Sequence, residues 1–340
     1  MRERPLSAIA EINPPLPRHV HDSELVSFVR MTDVKEAGGI ATATDAFFGS
    51  VKLGFTRFAE GDVIFAKITP CMENGKGALA TGLTNGIGCG STEFHVLRAK
   101  GENCGGFIYQ VVQSRGFRQK AETNMSGSAG QQRVPSDFFK EHTVYIPVPQ
   151  EQRRIAEILS TLDEAIEQTE ALIAKHQQIK AGLMHDLFTR GVTPDGHLRP
   201  TREQAPDLYK PSPLGWIPRE WEVVRIADAF DIQLGKMLNK LAKTGKLSAP
   251  YVGNRAVQWD YVDCSAVEEM DFTSAERQKF ILLPNDLLVC EGGDVGRTAM
   301  WRGEIENCYY QKAIHRLRPK SFRALPSYML RFMKFARDAG

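Results

Sequence analysis

The chain has 340 residues, long for one domain at the usual ~100–200 residues each, so two domains are expected. Its 43 Lys and Arg nearly balance 41 Asp and Glu; the net charge of +2 excludes a histone-like basic protein and an acidic tail, and still allows a basic face. A composition 42% hydrophobic and 25% charged is globular, no run of ~18 apolar residues offers a membrane span, and the polar start Met1–Pro5 lacks the apolar stretch of a signal peptide, so a cytoplasmic protein is expected.

Residues 1–149 are rich in Gly, Thr and Val, with short apolar runs cut by turn residues. Asp62-Val63-Ile64-Phe65-Ala66 and Phe94-His95-Val96-Leu97 read as strands. A helix is expected over Ile108–Thr123, carrying Arg115, Arg118 and Lys120, and the polar loop Asn124–Arg133 follows it.

From Gln150 to Arg190 there is no Pro and one Gly, Gly182. Ile155, Leu159, Leu162, Ile166, Thr169, Ile173 and His176 fall at alternating steps of four and three, a heptad seam that then shifts phase to Ile179, Leu183 and Leu187. Pro149 suits a helix start; Gly191 and Pro194 suit its end. A long core helix would show a similar stripe, but the opposite face is heavily charged, from Glu151 and Arg153 to Lys175 and Lys180, which favours a coiled coil. The proline-rich residues 191–214 read as a linker, and strand-like texture resumes after Trp221, as in Asp286-Leu287-Leu288-Val289-Cys290.

The two flanks resemble each other. His95-Val96-Leu97-Arg98-Ala99-Lys100 matches His315-Arg316-Leu317-Arg318-Pro319-Lys320 at an offset of 220, Glu11-Ile12 matches Asp231-Ile232 at the same offset, and Asp62 matches Asp286 at 224. Three matches in one order argue for an internal repeat. The same offset would put a second copy of the helix at about residues 370–410, beyond residue 340.

Six cysteines, Cys71, Cys89, Cys104, Cys264, Cys290 and Cys308, form no CxxC and stand near no His at finger-like spacing. Reduced thiols, mostly buried, are expected, with no metal site. Gly292-Gly293-Asp294-Val295-Gly296-Arg297 lacks the Gly-Lys-Ser/Thr ending of a phosphate loop, and Asp62, Glu73 and Lys76 have the wrong spacing for a nuclease set. His95 and His315 recur at matched positions, where a strand histidine is more often packed and hydrogen-bonded than catalytic.

Pro147-Val148-Pro149-Gln150-Glu151-Gln152-Arg153-Arg154-Ile155-Ala156, with Lys180-Ala181-Gly182-Leu183-Met184 and Leu187-Phe188-Thr189-Arg190-Gly191, resembles the central region of the specificity subunits of type I restriction-modification systems. Ser212-Pro213-Leu214-Gly215-Trp216-Ile217-Pro218 and Trp221-Glu222-Val223 resemble the family's entry into a second target-recognition domain. The resemblance implies an α+β chain: two α/β target-recognition domains, residues 1–149 and 215–340, joined by a long coiled-coil helix, residues 150–190, with a linker at 191–214. Each domain would read half of a split site on double-stranded DNA. The helix would dock methyltransferase subunits through Ile155, Leu159, Leu162, Ile166, Ile173, Leu183 and Leu187, and a restriction subunit would join. No cofactor is expected on this chain; S-adenosylmethionine, ATP and Mg are expected on the partner subunits. Relative to the family pattern the distal helix is missing, so self-association through the central helix is expected as well.

Asn13-Pro14-Pro15-Leu16 is similar to the Asn/Asp-Pro-Pro-aromatic motif of amino-methyltransferases, but Leu16 offers no stacking ring, and a proline-rich turn is the reading. A standalone modification enzyme would need a fuller motif set. A decoy would bind methyltransferase subunits without conferring site-specific methylation. For DNA contact, Lys236, Lys240, Lys243 and Lys246 form a basic run suited to phosphates, with Asn254 and Arg255 after it. In the first domain Arg115, Arg118, Lys120, Gln131, Gln132 and Arg133 are the candidates, and Arg30 follows an early strand.

Overall fold

A computed structural model describes residues 2–128, 130–237 and 245–339; the chain divides into two compact units, residues 1–172 and 173–340. In the first unit the strands are β1 (Arg2–Pro5), β2 (Ala10–Ile12), β3 (Leu25–Val29), β4 (Thr44–Phe47), β5 (Thr56–Ala59), β6 (Val63–Ala66), β7 (Gly77–Leu79), β8 (Ile87–Gly90), β9 (Phe94–Ala99) and β10 (Thr143–Ile146). The helices are α1 (Phe48–Val51), α2 (Gly105–Gln113), α3 (Arg115–Thr123), α4 (Phe138–Glu141) and the long α5 (Pro149–Thr189), within which the division between the units falls.

Two four-stranded sheets form, ordered β2-β9-β6-β7 and β4-β3-β8-β5, with β1 and β10 as a separate antiparallel ribbon. The unbroken apolar run Val63–Ala66 belongs to a strand buried on both faces. Val63 and Phe65 pack with Ile108, Val112, Phe117 and Phe139 on the helix side. Ile64 and Ala66 pack with Val29, Phe58 and Val96 on the other. Alternating side chains on one strand therefore bind the helical layer and the second sheet together.

The second unit holds β11 (Tyr209–Ser212), β12 (Gly215–Pro218), β13 (Phe230–Leu234), β14 (Ser248–Val252), β15 (Glu268–Asp271), β16 (Leu287–Cys290), β17 (Thr298–Met300), β18 (Tyr309–Tyr310) and β19 (Ile314–Pro319), with α6 (Ile226–Ala229), α7 (Ser274–Phe280) and α8 (Pro326–Ala339). Its sheets run β13-β19-β16-β17 and β15-β14-β18. The first of these repeats β2-β9-β6-β7 strand for strand, and the second repeats β4-β3-β8 without a described counterpart of β5, down to the parallel pairs β3–β8 and β14–β18 inside otherwise antiparallel sheets. The short sequence matches thus mark a duplicated fold.

The repeated aspartates and arginines explain why those residues recur. Asp62 lies in the turn before β6, is 1% exposed, accepts the Ala59 N–H at 2.7 Å, and binds Arg98 Nε and Nη2 at 2.8 and 2.6 Å. Asp286 does the same with the Leu283 N–H at 2.8 Å and Arg318 at 2.7 and 2.6 Å. A buried carboxylate needs such partners, and here they tie a turn to the neighbouring strand. His95, 6% exposed, accepts from Asn13 Nδ2 through Nδ1 and donates through Nε2 to the Val134 carbonyl, a packed role as the sequence suggests. His315 differs: it is half-exposed and 3.6 Å from Glu291.

The start of α5 is fixed by Gln152, which is fully buried. Its Oε1 accepts the Cys104 N–H at 3.0 Å, and its Nε2 donates to Asn103 Oδ1 at 2.9 Å and the Pro147 carbonyl at 3.0 Å. Near the other end Phe188 stacks on Phe335 of α8 at 5.1 Å and meets Phe332 at 5.7 Å.

Two expectations change. The helix expected over 108–123 is broken at Ser114, whose backbone turns extended and whose hydroxyl accepts the Phe117 N–H to start α3 afresh. The proline-rich stretch after α5 is folded. Arg190 donates to the Arg199 carbonyl at 2.6 Å through Nη2, Arg199 donates to the Arg190 carbonyl at 2.9 Å and the Val192 carbonyl at 3.0 Å, and β11 pairs with β12. Prolines remove N–H donors, and here arginine side chains donate to backbone carbonyls in their place.

Cys89, Cys290 and Cys308 are buried, Cys71 and Cys104 half-buried and Cys264 exposed. Burial pushes the thiols of Cys89 and Cys308 up to about 11 and about 12. Among the described residues no helix is long and apolar enough to cross a membrane.

Candidate nucleic-acid interface

The polar loop after α3 is closed by a bridge between Ser126 and Arg133, with reciprocal N–H to carbonyl bonds of 3.0 and 2.9 Å. It is tethered to the segment after β6: the Thr69 N–H donates to the Gln132 carbonyl at 3.0 Å, and the Val134 N–H to the Lys67 carbonyl at 2.9 Å. Arg133 grips Glu93 through Nε and Nη2 at 2.9 and 2.8 Å and holds that carboxyl below its usual range. Arg133 is thus the loop's brace. Gln131 and Gln132 stand exposed beside it, with no side-chain hydrogen bond among the described residues. Free carboxamides on a braced loop are suited to base edges, which present paired donors and acceptors.

On α3, Arg115 and Lys120 face solvent. Arg118 does not. It is 8% exposed, donates to the Met72 carbonyl, to the Gly75 carbonyl at 3.0 Å and to Gln113 Oε1, and lies 5.0 Å from the Phe65 ring. Desolvation lowers its guanidinium to about 10. The expectation that Arg118 belongs to a DNA face is corrected: it points inward, where it satisfies carbonyls of the loop between β6 and β7. Arg30 remains largely exposed and is paired with Asp33 at 3.0 Å.

In the second unit the basic run is thinner than its sequence suggests. Lys236 donates to the Asp271 carbonyl at 2.6 Å and Glu276 Oε2 at 2.7 Å and lies 5.0 Å from the Phe272 ring. Its charge is used inside the unit, so its placement on a phosphate-binding surface is also corrected. Lys240 and Lys243 lie outside the described residues. Lys246 and Arg255 are exposed. Asn254 binds the Gly292 carbonyl at 2.9 Å, and its carbonyl accepts from Arg297 Nη2 at 2.9 Å, so it braces the glycine-rich hairpin. The basic C-terminal stretch is paired as well: Arg316 with Asp231, Arg318 with Asp286, Arg331 with Asp260 and Arg337 with Asp294.

Along α5 the seam divides. Ile155 is half-buried against the first core. Leu159, Leu162, Ile166, Ile173, Leu183 and Leu187 are 37–57% exposed, as are Leu172 and Ile179. This is a stripe of large aliphatic side chains in water on a helix of 41 residues.

Comparison with known proteins gives these features a family. The family model described as "Type I restriction modification DNA specificity domain" matches residues 26–177 and again 218–337. The chain belongs to that family. It is 38% identical over 189 residues to the type I restriction enzyme EcoAI specificity subunit of Escherichia coli, covering 54% of this chain and 32% of that protein. The EcoEI specificity subunit of Escherichia coli is 37% identical over 188 residues, with the same shares. The chain spans about a third of the length of these relatives. Among solved structures, a type I restriction-modification S subunit from M. genitalium is similar at a TM-score of 0.53 and 14% identity, over 99% of this chain and 77% of that one. A chain from a type I R-M system, solved in work on its complex assembly and conformational transition, gives 0.52 and 18% over 99% and 80%. At these identities the likeness is one of fold.

Proposed function

We propose that this chain is the DNA-recognition subunit of a type I restriction-modification complex and catalyses nothing itself. The observation that carries the reading is the pairing of one duplicated two-sheet fold with a helix whose aliphatic stripe is open. Gln131 and Gln132 read base edges, while Arg115, Lys120, Lys246 and Arg255 contact phosphates. Arg30 adds a phosphate contact from the first unit. The stripe on α5 docks methyltransferase subunits, which carry S-adenosylmethionine; a restriction subunit brings ATP and Mg. A second copy of this chain competes for the same stripe. Acting on cellular DNA, the complex works in the cytoplasm.

The test uses the chain assembled with its methyltransferase subunits. Changing Gln131 and Gln132 to Ala alters which half-site is methylated, each lost bidentate contact relaxing discrimination by ~1–3 kcal/mol. Changing Arg115, Lys120, Lys246 and Arg255 to Ala weakens binding to all sequences and flattens its salt dependence by ~0.9 in slope per phosphate contact. Binding and methylation that ignore both sets would refute the assignment.

A further inference from the structure

The first unit carries a cavity of about 270 Å³ that the recognition surface above does not use. The turn after β2 supplies Pro14 and Leu16, β9 supplies Phe94, and the entry to β5 supplies Phe55. Two cations complete it: Arg57 on β5 and Lys67 just past β6. No carboxylate lines it.

The cations stand apart from their neighbours. Arg18, Arg30, Lys52, Arg98 and Arg133 of this unit each hold a carboxylate. Arg57 and Lys67 have no ion pair or side-chain hydrogen bond among the described residues. Two cations without a salt bridge on one cavity make a site for an anion, even though Lys67 lies near enough to Glu93 to help lower that carboxyl. The exposed ring of Phe55 and the side chains of Pro14 and Leu16 beside these cations offer more than a bare anion uses. They suit an anion attached to a flat, weakly polar body.

Size and position narrow the choice. At about 270 Å³ the cavity falls just below the ~300–1,000 Å³ range of ligand sites, room for no more than one nucleotide unit. Lys67 is also the residue whose carbonyl anchors Val134, at the foot of the loop carrying Gln131 and Gln132. Asn13 is not available to hold an amine there: its Oδ1 accepts the Val96 N–H at 2.9 Å and its Nδ2 donates to His95. The turn is a wall, and no chemistry on a base is implied.

We infer that the cavity takes a single nucleotide of bound DNA turned out of the duplex, its phosphate on Arg57 and Lys67 and its base against Phe55 and Leu16. This rests on the DNA-recognition reading above. The second unit is not built for it. Glu291 follows β16 where Lys67 follows β6, and a buried Arg316, paired to Asp231, stands on β19 where Val96 stands on β9. The site therefore belongs to one half of the molecule.

Equilibrium dialysis of the full chain tests it, with the four 5′-deoxynucleoside monophosphates, their nucleosides and inorganic phosphate as probes. At least one monophosphate binds saturably, one per chain, and at least tenfold more tightly than inorganic phosphate or its own nucleoside. Arg57→Gln and Lys67→Gln each weaken that binding about tenfold or more, as loss of a charge-assisted bond does. Phe55→Ala weakens the nucleotide and leaves inorganic phosphate unchanged. Arg57 and Lys67 hold no internal bond, so these variants keep the fold, and unchanged melting curves verify that. No monophosphate binding, binding indifferent to both cations, or inorganic phosphate binding as well as the nucleotide would each overturn the inference. Duplex binding by the assembled complex is measured on the same preparations. Its persistence without mononucleotide uptake overturns the cavity alone and leaves the DNA reading standing. Uptake without duplex binding overturns the DNA reading and, with it, the duplex as the source of the nucleotide.

Discussion

Replacing Leu162 and Ile166 of α5 together by Asp separates association from folding. The two side chains are 54% and 57% exposed, so about half of each remains to be buried by a partner. Full burial of such a side chain is worth ~1.5–3 kcal/mol, which leaves ~1 kcal/mol each still to be gained. Over the six open seam residues this comes to ~5–9 kcal/mol, supplied by one side of a contact. The substitution removes ~2 kcal/mol of that and puts two carboxylates into a dry seam, at several kcal/mol each if they stay charged. Association falls by far more than a hundredfold. The isolated chain loses little, because half-exposed helix positions tolerate change within ~0.5 kcal/mol and Asp adds a similar cost in helix propensity. Sedimentation velocity with methyltransferase subunits, and of the chain alone at micromolar concentration, reads the first effect; thermal melting reads the second. Association unchanged by the double substitution, or a stability loss of several kcal/mol, would refute the description of this face as an open docking stripe.

Two further predictions concern the domains themselves. Asp62→Ala removes three short hydrogen bonds and strands Arg98, so the first unit should lose about 2–3 kcal/mol, discounted because Arg98 is still part-exposed; Asp286→Ala should do the same to the second, and a loss under ~1 kcal/mol in chemical denaturation contradicts the clamp. Burial holds His95 below its usual 6.5, so the neutral form is favoured in the fold; its contribution is fully present above that value and is lost as pH falls below it, and a first unit whose stability from pH 7 to 5 is the same with and without His95→Gln would count against that.

The duplication and the long helix were legible because each writes a local pattern: a seven-residue period, or a short string copied about 220 residues on. The fate of the charges was not. Lys236 meets Glu276 and Arg118 meets the Met72 carbonyl, partners 40 and 46 residues away that no window of sequence contains. A lysine run therefore looks uniform until the fold sorts it into internal ties and free groups. The break at Ser114 shows the same limit at short range, since one capping hydroxyl inside an otherwise helical stretch ends one helix and starts another. The cavity at Arg57 and Lys67 draws on four separate segments, and its signal is the absence of carboxylates, which composition cannot show.

The buried carboxamide of Gln152 has a geometric consequence for how this chain can change in length. Because it locks the first turn of α5 to the first unit, the helix has a fixed rotational zero. Each residue inserted between Gln152 and Leu159 would turn everything beyond it by about 100° and advance it by about 1.5 Å, so one insertion swings the stripe nearly a third of the way round the axis. Seven residues would restore its facing to within about 20° while lengthening the rod by roughly 10 Å. Spacing along this helix is thus quantised: the molecule can be lengthened in whole heptads, and intermediate lengths point its apolar side at the wrong neighbour.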